Sequence, residues 1–182
     1  MAKGKSRKSV LVLLLSALLL IPTIVGAFLN IFSLVEGSKT STIISENYGI
    51  FADLSNAELS FALIGKELNS WLLLANNICL IITLFFGLIL IIDLVLRMTN
   101  VKRSRLLDNI FKACTALLFI SAILTLVFGL LASVCNSFVV SETLGLYQKI
   151  GLDVGFYLQI PAVLSGGLAL LTFADKNTKK KK

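Results

Sequence analysis

Four long apolar runs, Val10–Phe32, Trp71–Leu96, Ala113–Ser141 and Val154–Ala174, hold a single charged side chain between them, Asp93. The hydrocarbon core of a bilayer is about 30 Å thick, and a helix needs roughly 20 apolar residues to cross it. Every run is long enough. The stretches between them do not exceed about 40 residues, too short for a soluble domain with its own core unless disulfides or metal help. Overall, 57% of residues are hydrophobic and the mean hydropathy is +0.92, above the roughly 45–50% apolar content of soluble domains. The expected fold is an all-α membrane protein, a single domain over residues 1–182 built as a four-transmembrane-helix bundle. The spans are placed at 10–32, 71–96, 113–138 and 154–174, with outer loop one at 33–70 and outer loop two at 139–153.

Charge sets the threading. Fourteen of the 17 basic residues flank the runs on one side. Lys3, Lys5, Arg7 and Lys8 precede the first run. Arg97, Lys102, Arg103, Arg105 and Lys112 separate the second from the third, and Lys176 and Lys179 to Lys182 follow the fourth. The other two connections hold only Lys39, Lys66 and Lys149 against seven acids. Lysine and arginine in short loops mark the cytoplasmic side, so both termini are expected there. The basic clusters hug span ends and carry no interleaved aromatic residues, which argues against nucleic acid as a partner. Lys3, Lys5, Arg7, Lys8, Arg97, Lys102, Arg103 and Arg105 are instead read as topology determinants, with anionic lipid headgroups as the ligand class they would attract.

The first run also resembles a secretory signal, with Val25-Gly26-Ala27 after Pro22 offering small residues at cleavage spacing. Its length exceeds a signal core of about 7–15 residues, so retention as an anchor is expected. In outer loop one, Thr42-Ile43-Ile44 and Ile50-Phe51-Ala52 around Asn47-Tyr48-Gly49 predict a short strand–turn–strand. Ser55 and Glu58 predict a capped helix continuing to Leu68 on the membrane surface. Trp71 sits where an interfacial aromatic belongs. The run from Ala113 is over-long, so either it tilts or its end from Asn136 leaves the membrane.

Helix association in lipid depends on small residues and buried polar contacts. Each span carries such a stripe at helical spacing. The packing candidates are Ser16, Thr23 and Ala27 in the first span, and Asn76, Thr83 and Gly87 in the second. Ser121, Thr125 and Gly129 serve the third, and Ala162 and Gly166 the fourth. Asn30, Asn76, Asn77, Asn136 and Gln159 are read as helix-to-helix and interfacial hydrogen-bonding groups in preference to an outward-opening ligand pocket. Asp93 is one turn from Arg97 and close to the cytoplasmic edge, so a structural ion pair is expected in preference to a proton relay. Pro161 with Gly166-Gly167 is a candidate kink. Cys79, Cys114 and Cys135 all fall in spans and are expected to be buried thiols rather than a disulfide framework.

The chain has no histidine, the commonest general base and metal ligand. It also lacks CxxC, HExxH, a phosphate-cradling glycine loop and Gly-x-Ser-x-Gly. No catalytic, metal or cofactor-binding residue is assigned, and an enzyme is not expected. The layout, with both ends inside, a longer first outer loop and a shorter second, resembles the broad tetraspan class that includes claudin-like proteins. The resemblance covers topology alone: the first loop has no cysteine, and Trp71 stands by itself at its end. The functional expectation is a non-enzymatic accessory, scaffold or assembly component of a membrane, binding partner membrane proteins or itself. The alternative is a subunit of an oligomeric channel or transporter. The tail Lys179 to Lys182 fits a dilysine retrieval pattern, but any lysine tail does. The plasma membrane or a bacterial inner membrane is favoured over the endoplasmic reticulum.

Overall fold

The computed structural model describes residues 2–37, 42–49, 70–99, 101, 104–141 and 146–177. The elements run α1 (Ala2–Ala27), β1 (Phe32–Gly37), β2 (Thr42–Tyr48), α2 (Ser70–Met98), α3 (Arg105–Cys135), β3 (Ser137–Ser141), β4 (Leu146–Leu152), α4 (Val154–Tyr157) and α5 (Ile160–Asn177). Four segments, Val10–Ala27, Trp71–Met98, Arg105–Cys135 and Val154–Phe173, are helices long and apolar enough to cross a membrane. Their outward faces are apolar too: Leu11, Leu18, Phe85, Leu88, Leu117 and Leu171 are all exposed. In water such a belt would be a liability; in a bilayer it is the solvent-facing surface.

Local chemistry explains the helix ends. The Ser104 hydroxyl accepts from the Leu107 amide at 3.2 Å and caps α3, and Asp108 lies in the first turn, where the helix dipole favours an acid. At the other end Asn136 donates both its backbone N–H and its side-chain Nδ2 to the Ala132 carbonyl. The helix therefore stops at Cys135 and the long third run divides into helix and strand. The first run divides likewise: α1 passes through Pro22 and ends at Ala27, and Phe32 already belongs to β1. Helix also extends into segments read as connections. It starts at Ala2, reaches Met98, and resumes at Arg105.

The helices form a ring in which α1 packs on α2, α2 on α3, α3 on α5 and α5 on α1. Two apolar clusters fill it. One, nearer the sheet, joins Ala27, Ile31, Phe32, Leu72, Leu73, Leu80, Ala132, Ile150 and Phe156. The other, farther along the bundle, joins Leu13, Leu20, Leu90, Leu94, Leu118, Ala122, Ala162 and Ala169.

The all-α expectation falls short at one end of the bundle. A four-stranded antiparallel sheet of order β2-β1-β4-β3 stands there. β1 is central, pairing Phe32 with both Tyr48 and Leu152, and Gly37 with both Thr42 and Tyr147. β3 pairs with β4 from Ser137↔Lys149 to Ser141↔Leu146. The strand–turn–strand expected at 42–52 is corrected: β2 runs unbroken through Asn47-Tyr48, where the turn was placed, and its partner is β1, read from sequence as the end of a span and the start of a loop. The apolar residues of β1 continue the first run without a break, so hydropathy alone cannot separate helix from strand there. Ile50–Ala52 and the surface helix expected over Ser55–Leu68 lie outside the described residues.

The sheet is fastened to the bundle by backbone bonds. The Asp153 amide donates to Ile31 O and the Gly155 amide to Asn30 O, each at 2.9 Å, and the Ile150 amide donates to Asn136 O at 3.1 Å. The Ser133 hydroxyl adds a 2.7 Å bond to the Ile150 carbonyl. Asp153 also caps α4, its Oδ1 accepting from the Val154 amide.

Candidate functional site

Between the two apolar clusters, every long helix turns a polar group inward. Thr23 lies between Leu20 and Ala27 on α1. Thr83 lies between Leu80 and Leu90 on α2. Ser121 and Thr125 bracket Ala122 on α3. Gln159 lies between Phe156 and Ala162 at the junction of α4 and α5. Asn76, one turn before Leu80, reaches into this layer: its Nδ2 donates to the Thr125 carbonyl at 2.6 Å. The Thr83 and Ser121 hydroxyls lie 3.0 Å apart, and Thr83 also reaches Cys79 O at 2.8 Å. Thr125 bonds back to Ser121 O, a local bond that leaves a helix hydroxyl satisfied without a partner helix. About two turns farther from the sheet, Ser165 donates to the Ser16 carbonyl at 2.8 Å and joins α5 to α1. A double-mutant cycle on Thr83→Val and Ser121→Ala should return a coupling of about 0.6 kcal/mol by thermal melting in detergent; strict additivity would show that the hydroxyl contact holds nothing.

Close approach of backbones makes these contacts reachable. A Cβ on Gly166 would stand 2.8 Å from Phe119 Cα, so α5 and α3 touch there with nothing between them. A Cβ on Gly129 would enter the Phe156 ring and come within 3.0 Å of Asn76 Nδ2. Gly87 adjoins Leu20. Ala27 and Ala162 are buried in the two apolar clusters. The eleven residues singled out for packing thus lie inside the ring. Gly26 and Gly155, which form the tightest α1 crossing, carried no packing role in the sequence reading. Ser165 was missed as well, although it sits at helical spacing from Ala162 and Ala169.

α4 and α5 are a broken helix. Leu158 N bonds to Val154 O, but Gln159 N bonds to Phe156 O and Ala162 N to Gln159 O, both tightened to three-residue spacing. Pro161 falls in the first turn of α5, where its missing N–H is tolerated. The interruption therefore lies at Leu158-Gln159, just before Pro161, and not at Gly166-Gly167, which stay within α5.

The opposite end of the bundle holds the one ion pair among the described residues. Arg97 Nε lies 3.1 Å from Asp93 Oδ2 and 3.3 Å from Oδ1. Asp93 is fully buried, and the Arg97 guanidinium carbon sits 5.0 Å from the centre of the Phe173 ring. The pair is covered by α5, and the ring adds a cation–π contact. Arg105 and Lys112 are exposed. Lys3, Lys5, Arg7 and Lys8 lie on the first turns of α1; Lys102 and Arg103 lie outside the described residues. The cysteines are free, with Cys79 and Cys114 half-buried and Cys135 exposed at the end of α3, contrary to the expected burial of all three.

The chemistry offered by the layer is that of neutral amides and hydroxyls, which donate and accept hydrogen bonds. Comparison with protein-family models, with curated protein sequences and with solved structures finds no match.

Proposed function

We propose that the chain is a non-enzymatic scaffold or assembly component of a membrane, which binds partner membrane proteins or further copies of itself. The observation that carries this reading is the sheet. Both connections at one end of the bundle contribute strands to it, and its backbone bonds to Asn30, Ile31 and Asn136 hold it as a firm platform on the helices. A platform with two outer strands suits recognition by strand pairing or by side-chain contact. In this reading the sheet faces outward, and both termini and the α2–α3 connection are cytoplasmic, as the lysine and arginine bias requires. The basic end then meets anionic lipid headgroups of a plasma membrane or bacterial inner membrane. The test is amine-reactive crosslinking in native membranes followed by mass spectrometry. Lys149, exposed on β4, should be joined to a partner subunit or a second copy. A chain that forms crosslinks only within itself would refute the proposal.

A second reading, a subunit of an oligomeric channel or transporter, draws on the broken helix at Gln159, because interrupted spans with polar side chains line solute paths in such proteins. Solute or ion flux through liposomes holding only the purified chain separates the two.

A further inference from the structure

The polar layer contains atoms whose hydrogen bonds no described residue supplies. Thr23 Oγ1, Asn76 Oδ1 and both Nε2 and Oε1 of Gln159 have no partner among the described residues. Thr23 and Asn76 are 0% exposed and Gln159 is 1% exposed. A buried, unpartnered polar group is expensive, more so where the surroundings are helices and lipid. Three such side chains on three helix segments call for a common explanation.

They face one region. Gly26, one turn from Thr23 along α1, abuts Leu158, the neighbour of Gln159. Gly129 adjoins both the Asn76 amide nitrogen and the Phe156 ring, and the Phe156 carbonyl, one turn before Gln159, accepts the Gln159 backbone N–H at 3.0 Å. These contacts set Thr23, Asn76 and Gln159 around the break between α4 and α5, where the helix bonds tighten to three-residue spacing.

We propose that this break is a binding site for water: one or two ordered molecules that bridge Gln159 to Thr23 and Asn76. The orphaned atoms choose the ligand. They include an obligate donor (Gln159 Nε2), two obligate acceptors (Gln159 Oε1 and Asn76 Oδ1) and a hydroxyl that serves either way. Water donates and accepts at once and typically makes about three hydrogen bonds when buried. A cation would use the oxygens but leave Nε2 bare, and none of these residues is an acid that would balance its charge. An anion would use Nε2 and face two carbonyl oxygens.

The test compares the full chain with Gln159→Leu, a change of similar volume, in the same detergent, using X-ray radiolysis, which oxidises side chains beside bound water. In the unaltered chain Phe156, only 3% exposed, should be oxidised several-fold faster than in Gln159→Leu. The variant should also melt roughly 3 °C lower, because Thr23 and Asn76 lose their bridge. Equal oxidation of Phe156 in the two proteins overturns the proposal, as does a variant that melts higher, the sign expected if a bare amide has been removed from a dry core. Melting that rises with sodium or potassium at constant ionic strength also overturns it, in favour of a cation. Should Gln159→Leu fail to fold, Thr23→Val carries the same two readouts.

Discussion

Gly155→Val is expected to cost about 3 kcal/mol or more, the upper end of overpacking penalties, and to leave little folded protein. A Cβ at Gly155 would stand 2.6 Å from Asn30 O and 2.7 Å from Gly26 O. Both are backbone carbonyls, so neither can rotate aside as a side chain can. The approach is also held in place, because the Gly155 amide donates to the same Asn30 oxygen at 2.9 Å. Gly26 meets the same limit from the other side, with Gly155 O at 2.8 Å from its would-be Cβ. Relieving the clash means separating α1 from α4, which pulls on β1 and β4 together. Gly167→Ala is the control: its Cβ would meet Phe119 at 3.5 Å, an ordinary contact, and alanine improves helix propensity by up to about 1 kcal/mol. Thermal melting and size-exclusion profiles in detergent measure both. Equal tolerance of the two substitutions would contradict the crossing described.

Asp93→Leu and Arg97→Leu are each expected to destabilise the protein by about 3–5 kcal/mol, and the double variant to recover most of the loss. Each single change strands a charge that the fold has buried. Asp93 is 0% exposed and the Arg97 side chain is 10% exposed, so bulk water is poorly placed to compensate. The double change leaves two apolar side chains beside Phe173, in keeping with the neighbouring cluster of Leu90 and Leu94. Melting temperatures of the three variants at matched pH decide it. Additive losses in the double variant would mean that Asp93 and Arg97 act separately. If the end of the bundle lay open to water instead, the singles would cost no more than an exposed pair is worth, about 1 kcal/mol at most.

What could be read from sequence follows from how periodicity works. A helix surrounded by lipid is apolar on its outside and carries small or polar residues within, so Ser16, Thr23, Asn76, Thr83 and Thr125 stand out by type and spacing. The Asp93–Arg97 spacing signals a pair in any helix. A strand that continues an apolar run has no such contrast. Phe32-Ser33-Leu34-Val35 extends the first run and Phe138-Val139-Val140 the third, so each strand straddles the boundary placed between span and loop. Only Asn136, with its side chain turned back to Ala132 O, marks the change from helix to strand, and its meaning depends on that geometry. The glycine crossing at Gly26 and Gly155 was hidden for a different reason: it depends on which helices are neighbours, and one chain's periodicity does not state that. The burial of the ion pair beneath Phe173 is tertiary in the same way.

The central strand of the sheet has its two neighbours at very different distances along the chain. β1 meets β2 after a few residues, but its other edge is closed by β4, as in Leu34↔Ile150. During synthesis that edge must wait for α2 and α3 to emerge and for the connection before α4. Until then a row of amides and carbonyls is free for any strand that passes. Completion of this cap is thus a late step of biogenesis, and in the interval before it the nascent polypeptide is open to capture by a chaperone, a partner or another nascent copy.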